Sequence, residues 1–211
     1  MVLKVHYFDA LNRGEPIRLA LAISGIKFED VRIGRADWPT KKAANVYPMN
    51  QLPVLEFEDG TMATQSTAIL RYVGSLKPSI GLYPADILQR LRVDEMLGIV
   101  SDIRAKIGAT VFMTDEAQKA AARQDLAEKT LPFYFTRIEK IMGGHKFSAG
   151  DSLTIADLDL VGVIEWLAAG VLTGIPADII DGFPKLVTLR KLVGEVPAVP
   201  YWREKREVMP Q

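Results

Sequence analysis

The polar and aromatic residues that could act on a small molecule are concentrated in the first half of the chain: Tyr7, Arg13, Trp38, Lys42, Gln65 and Ser66. Tyr7 ends a strand-like run and Arg13 starts the first helical one. Trp38 and Lys42 lie in an irregular stretch before Pro53, and Gln65 and Ser66 stand at a helix start. Ligands of open α/β sheets bind where strand ends meet helix starts, so these side chains could converge on one cleft. Taken singly, each has a plainer explanation: Tyr7 as an aromatic at the rim of the core, Trp38 as a packing residue, Ser66 as a helix N-cap. Several other chemistries are excluded by residue type. The chain has no cysteine, which removes disulfides, thiolate metal sites, Cys nucleophiles and CxxC redox pairs; any sulfur chemistry must use a thiol from outside. Its two histidines, His6 and His145, have neither HExxH spacing nor clustered carboxylates, so no metal site and no Ser-His-Asp triad is expected. GxGxxG and GxxxxGK[ST] are both absent, leaving no dinucleotide or nucleotide phosphate cradle.

The elements that must position these residues follow from pattern. At 211 residues, 48% apolar and 25% charged, the chain has room for one large domain or two small ones. Its 26 Lys+Arg balance 26 Asp+Glu, so no net field draws it to nucleic acid or an acidic membrane, and neither is expected as a partner. Met1 to Ala10 mixes Lys4, His6 and Asp9 into its apolar residues and is not a signal peptide. The most apolar stretch, Leu158 to Ile180, is interrupted by Asp159, Glu165, Pro176 and Asp178. It falls short of the roughly 18 uninterrupted residues of a membrane span and reads as a buried core helix. A cytoplasmic location is the expectation.

Before residue 80, strand-like and helical runs alternate. Val2 to Phe8 and Lys27 to Ile33 read as strands, and Pro16 to Ser24 as a helix stopped at Gly25. Val54 to Phe57 and Thr61 to Ala63 read as a hairpin around the tight primed turn that Asp59-Gly60 suits. Ala68 to Leu76 reads as a helix with a capping hydroxyl. Pro78, Gly81 and Pro84 mark a breaker cluster. After it the runs are helical: Asp86 to Val111, Asp115 to Met142, Ile155 to Leu172 and Phe183 to Val196, with Arg203 to Glu207 as a solvated tail. Thr154 and Asp157 have the form of a capping box that supports the fold. Segregated strands and helices predict an α/β domain over residues 1–79, a linker over 80–85 and an all-helical domain over 86–211.

The segment Val5-His6-Tyr7-Phe8-Asp9-Ala10-Leu11-Asn12-Arg13-Gly14-Glu15-Pro16-Ile17-Arg18 resembles the opening of glutathione transferases of the sigma class, which run Tyr-Phe and then Gly-Arg-Ala-Glu. Asp37-Trp38-Pro39 through Lys42, Asn50-Gln51-Leu52-Pro53-Val54-Leu55, Gln65-Ser66-Thr67-Ala68-Ile69-Leu70-Arg71-Tyr72 and Leu186-Val187-Thr188-Leu189-Arg190-Lys191 are similar to further segments of that class in the same order. The resemblance spans the whole chain. It implies a thioredoxin-like domain followed by a helical bundle, in a detoxifying homodimer that takes glutathione as co-substrate, with no tightly bound cofactor and no metal.

The resemblance also implies roles. The Tyr7 phenol donates to the glutathione sulfur. Lowering a thiol pKa from about 8.5 by about two units needs roughly 2.7 kcal/mol, within reach of one charge-assisted hydrogen bond. Arg13 adds positive charge beside that sulfur, or alternatively pairs with a helix carboxylate. Gln65 and Ser66 hold the γ-glutamyl end, Leu52 presents its backbone to the cysteinyl part ahead of a cis Pro53, and Trp38 and Lys42 meet the glycyl carboxylate. Asn50 and Gln51 complete the glutathione set, with Gln51 standing where many members carry lysine. Asp102 reaches the ligand of the neighbouring subunit, and a hydrophobic electrophile lies over Phe8 and the region of Arg104. Gly98 and Ser101 replace acids of the vertebrate prostaglandin isomerases of this class, which counts against that activity. The alternatives on the same fold are a crystallin-like or ligand-binding role without catalysis and a glutathione-dependent prostaglandin isomerase.

Overall fold

The computed structural model describes the backbone of residues 2–208 and the side chains of residues 2–205. The chain forms two compact units, one of residues 1–84 with 194–211 and one of residues 85–193. In the first unit β1 (Leu3–Phe8), α1 (Glu15–Ile23), β2 (Phe28–Ile33), α2 (Trp38–Ala43), β3 (Val54–Glu56), β4 (Met62–Ala63) and α3 (Ser66–Ser75) follow in order. The sheet order is β2-β1-β3-β4, with β1 and β2 parallel and the other pairs antiparallel. A parallel pair needs a crossover, and α1 supplies it. Pro16 suits the first turn of α1. Gly25, at φ +62°, ends that helix as its sequence position suggests, with the Ile26 amide donating back to Leu21 O at 2.9 Å. β1 is buried on both faces: Leu3, Val5 and Tyr7 on one, His6 on the other.

Several local expectations need correction. The hairpin turn is wider than a two-residue primed turn. The Gly60 amide donates to Phe57 O and the Phe57 amide to Thr61 O, both at 2.9 Å, and only Gly60 is left-handed, at φ +81°. That is a type I turn followed by a left-handed residue, in which Asp59 needs no positive φ. The stretch around Trp38 and Lys42 is helical, opened by Pro39 in its first turn. α3 starts after Gln65 without any side-chain hydrogen bond capping it, so the hydroxyl cap expected there is absent.

The second unit is helical among the described residues. α4 (Ile87–Val111) is capped by Asp86, whose side chain accepts from the Gln89 amide at 2.8 Å. It buries Val93, Met96, Leu97, Val100, Ile103 and Ile107 along one face, the spacing of a core-facing helix. The single helix expected over Asp115 to Met142 is divided into α5 (Glu116–Asp125), a π-helical turn over Leu126–Thr130, and α6 (Leu131–Met142). Pro132 has no amide to donate to the preceding turn, so the ladder widens just before it. α7 (Ile155–Ala168) is almost wholly buried and opens with the expected capping box: the Thr154 amide donates to Asp157 Oδ2 at 2.7 Å. The Ser148 amide donates to the other carboxylate oxygen at 2.6 Å. Burial pushes the Asp157 carboxyl above its ordinary range, against these hydrogen bonds.

α8 (Pro184–Gly194) leads to α9 (Ala198–Val208). The expected tail is this helix, and it packs on α1 within the first unit. Trp202 is its anchor, with its ring centroid 5.1 Å from that of Phe28 and its indole N–H donating to buried Glu15 at 3.1 Å. The last residues therefore belong with the sheet and not with the bundle as the 86–211 boundary supposed. The Arg206 and Glu207 side chains of the tail lie outside those described. Among the described residues no helix is long and apolar enough to cross a membrane.

Candidate functional site

The end of β1 is where the sheet brings distant segments into one row. β3 pairs antiparallel with β1, Val54 opposite His6, so Pro53, which precedes β3, lies at the end of the sheet that carries Tyr7. β4 pairs antiparallel with β3, Ala63 opposite Leu55, so Gln65, which follows β4, lies at that same end. Tyr7, Pro53 and Gln65 thus stand in a row at the ends of three neighbouring strands. The Leu52-Pro53 peptide is cis, as the resemblance implied. On the other side of β1, Phe8 lies opposite Ile33 of β2, and the chain leaving β2 returns as Trp38. The Phe8 ring meets Trp38 edge-on at 5.5 Å and Tyr7 at 5.6 Å. Trp38 and Leu52 pack on the cluster of Ile33, Tyr47 and Val54.

At the far end of the row, α3 begins with open amides. Its first-turn N–H groups have no carbonyl within the helix to bind, and the side chain of the N-cap residue, Gln65, does not cap them. The helix dipole adds partial positive charge there, so a carboxylate is the natural occupant. Gln65 precedes the helix at φ 72°, ψ 102°. A non-glycine residue in that region carries a strain of about 1–3 kcal/mol, which surrounding structure must impose. Gln65 is exposed and Ser66 half-buried.

The remaining predicted residues of this unit lie around the same row. Asn50 has φ 47°, its amide N–H donates to Asn45 Oδ1 at 2.6 Å, and its own Oδ1 is buried with no hydrogen-bond partner. A buried acceptor left open beside the row is a feature that a ligand donor could satisfy. Gln51 and Lys42 are exposed, Lys42 in the last turn of α2. Arg13 is half-buried in the turn between β1 and α1, two residues before the helix it was expected to start.

Beneath this turn lies a buried ionic network that the sequence reading did not identify. Arg18 is 0% exposed. Its Nε donates to Asp30 at 2.7 Å, and its terminal nitrogens donate to Phe8 O and Ala10 O at 3.2 Å and to Glu15 at 3.4 Å. Arg32 binds the other oxygen of Asp30 at 2.9 Å and reaches Asp9 at 3.2 Å. Arg18 therefore fixes the carbonyls directly after Tyr7. One sequence signal was available, an arginine flanked by apolar residues on the buried face of α1; the partner Trp202, 187 positions from Glu15, left none. A second polar set lies behind His6, which contacts Tyr47 Oη at 3.2 Å and Glu56 at 2.8 Å, while Lys4 holds Glu56 at 2.7 Å.

Asp102 and Arg104 belong to the other unit. Asp102 is exposed on α4. Arg104 departs from its expected place at an electrophile surface: it is buried, donating to the Asp159 carboxylate at 2.7 Å and to Asp159 O at 3.2 Å. A guanidinium so engaged is a structural tie between α4 and α7. Among the described residues no three of His, Asp and Glu converge as metal ligands do.

Comparison with known proteins gives the following matches. The glutathione S-transferase N-terminal domain matches residues 3–75 and the glutathione S-transferase C-terminal domain matches residues 101–206. A glutathione S-transferase of Anopheles gambiae is 34% identical, over 87% of this chain and 86% of the relative. The human hematopoietic prostaglandin D synthase is 31% identical, over 96% of both chains. Among solved structures, prostaglandin synthase D of Nilaparvata lugens superposes with a TM-score of 0.88 at 33% identity, covering 99% of this chain and 100% of that one.

Proposed function

We propose, since the chain belongs to the glutathione S-transferase family and is a glutathione transferase, that it is a sigma-class enzyme joining glutathione to small hydrophobic electrophiles through a thiolate stabilised by Tyr7. The observation that carries this reading is the row of Tyr7, Pro53 and Gln65 running to the uncapped start of α3. The γ-glutamyl carboxylate takes the α3 amides with Ser66 and Gln65. The cysteinyl backbone pairs with Leu52 like an added strand. The glycyl end lies toward Trp38, Lys42, Asn50 and Gln51, and the sulfur then falls at Tyr7 with Arg13 beside it.

The phenol works as a donor. A tyrosine with an ordinary pKa of about 10 stays protonated at neutral pH, so it holds the thiolate without taking its proton. The sulfur attacks the electrophilic carbon, the leaving group or the conjugated π bond takes the electron pair, and the thiol proton passes to solvent. The nucleophile belongs to the ligand, so no covalent enzyme intermediate forms. The electrophile lies over Phe8. The enzyme works in the cytoplasm as a homodimer in detoxification, with Asp102 of each subunit reaching the neighbouring ligand. Steady-state conjugation of a generic aryl halide tests the reading. Tyr7→Phe should leave the KM for glutathione within about threefold and lower kcat about tenfold to a hundredfold near neutral pH, the scale of one charge-assisted hydrogen bond. Turnover unchanged between pH 6 and 8 would overturn it.

A second reading is favoured by the names of two similar proteins, the human and Nilaparvata lugens prostaglandin synthases. Isomerisation of a lipid endoperoxide uses the same thiolate and returns the glutathione, so it shows as rearranged product without glutathione consumption. Gly98 and Ser101, both lacking a carboxylate, weigh against it.

A further inference from the structure

The helical unit holds a cavity of about 240 Å³ that none of the row's residues lines. It lies where α4 passes the end of α6 and the loop before α7, with Arg92 and Glu95 from α4, Ile141 from α6, and His145, Ser148 and Ala149 from the loop. It is smaller than the roughly 300–1,000 Å³ of a drug-sized site, which calls for a small occupant. Ser148 is buried at 2% exposure, and its hydroxyl has no hydrogen-bond partner. The hydroxyl leans toward Asp157, the carboxylate that the Ser148 amide already binds at 2.6 Å. A hydroxyl has one proton and two acceptor lone pairs, so even with its proton turned to Asp157 the lone pairs stay open. Buried polar atoms in native proteins are rarely left so.

Two charges stand at the same cavity. Arg92 and Glu95 are exposed and three residues apart, neighbours on one face of α4 and near enough to pair with each other. They do not: among the described residues neither has a hydrogen-bond or ion-pair partner. His145 is already engaged, 3.1 Å from Asp151, so Arg92 is the cation left for a ligand. We propose that this cavity is a second ligand site, fitted to the zwitterion of a small apolar α-amino acid. The ammonium donates to Ser148 Oγ and the Glu95 carboxylate, the ligand carboxylate accepts from Arg92, and the side chain covers Ile141 and Ala149. An ion of either sign alone meets a like charge at the rim, and an uncharged molecule leaves both charges unused; a molecule with both charges on one carbon meets each with its opposite. The site is independent of the Tyr7 chemistry, whose failure would leave it untouched.

The test is amide NMR of the full chain titrated with L-valine, beside isobutylamine, which lacks the carboxylate, and isovalerate, which lacks the ammonium. L-valine should shift the amide signals of Ser148, Ala149 and Gly150 saturably, with a Kd in the millimolar range or tighter, as suits so few atoms. Isobutylamine and isovalerate should each bind at least about fivefold more weakly, having lost one contact and kept a like charge at the rim. Arg92→Gln and Glu95→Gln, at exposed positions where the fold tolerates exchange, should each weaken L-valine about threefold to tenfold. Ser148→Ala should weaken it by about threefold or more, and kcat for conjugation should stay within about twofold in all three variants. No saturable shift at those amides overturns the site. Equal binding of either half-ligand, or L-valine binding indifferent to both charge variants, leaves only an adventitious apolar contact and overturns the zwitterion. A rise in the KM for glutathione under L-valine, with those three amides unmoved, puts L-valine in the glutathione site and overturns the inference as well.

Discussion

Each unit of this protein buries an arginine against a carboxylate, and the two pairs do different work. Arg104 joins α4 to α7 through Asp159, with both side chains at 5% exposure or less. Arg18 pairs with Asp30 and Glu15 at comparable burial, but also donates to Phe8 O and Ala10 O, the backbone that follows Tyr7. A buried ion pair contributes little net stability against an apolar replacement, whereas removing one partner strands the other and costs about 3–5 kcal/mol. Both arginines should therefore be costly to truncate. Only one lies under the turn that follows Tyr7, so on the proposed role of Tyr7 only one should carry a functional cost beyond stability.

The largest expected effect is at Arg18. Arg18→Ala leaves two carboxylates and two loop carbonyls to find new donors, and should lower the free energy of unfolding by about 3–5 kcal/mol in urea titrations. Because Phe8 O and Ala10 O are released, the protein that still folds at low temperature should also lose kcat, with the thiolate titration shifted upward. A variant that is destabilised yet catalyses at the wild-type rate would break the comparison, showing that the turn holds Tyr7 without its arginine.

The second effect is at Arg104, similar in stability and silent in catalysis. Arg104→Leu exposes Asp159 to an unpaired burial and should again cost about 3–5 kcal/mol, while kcat and both KM values stay within about twofold of wild type. A raised KM for the electrophile alone would return Arg104 to the electrophile surface from which its burial removes it. A variant of wild-type stability would mean that the helical unit tolerates the stranded carboxylate, which sharpens the contrast with the sheet unit.

What the sequence made legible follows the range of the physics involved. β1, α1 and β2 could be read because burial periodicity, Pro16 and Gly25 act within a few residues. The capping box at Thr154 could be read for the same reason, its two partners being three positions apart. Arg104 was misplaced because the side chain that claims it, Asp159, is 55 positions away, and an arginine on a helix carries no mark of which face meets the core. α9 was taken for a tail because its charge pattern looks solvated; the residue that anchors it, Trp202, binds across 187 positions. In the site, Tyr7 and Gln65 were nominated by residue type and position and Pro53 by resemblance, and they come together through the pairing of β1, β3 and β4, which no local pattern encodes.

The smallest effect separates the two faces of β1. His6 points opposite to Tyr7 and contacts Tyr47 and Glu56, with Lys4 and Glu29 nearby in charge. Burial pushes the His6 imidazolium below the usual histidine pKa of about 6.5, outweighing the attraction of Glu56. A histidine with a lowered native pKa binds its proton more readily in the unfolded chain. Its contribution is therefore complete above about pH 6.5 and is lost as the pH falls from there toward the lowered native value. Glu56, held below the usual carboxylate range chiefly by its bond to Lys4, contributes its own loss only at lower pH. The geometry gives a reason for the histidine's preference. Ionised Glu56 only accepts, so the neutral ring gives it the Nε2 proton and takes the Tyr47 O–H at Nδ1. Protonation puts a donor at Nδ1, and Tyr47 must turn its hydroxyl to accept. Urea midpoints measured from pH 7 to pH 5 should fall for the wild type and fall less for His6→Gln. The Tyr47 ring is also 6.0 Å from Trp38, so an acid-induced rise in the KM for glutathione should be smaller in His6→Gln, while kcat, which falls as the thiolate protonates, should follow the same pH profile in both proteins. A kcat profile shifted by His6→Gln would mean that the two faces of β1 are coupled.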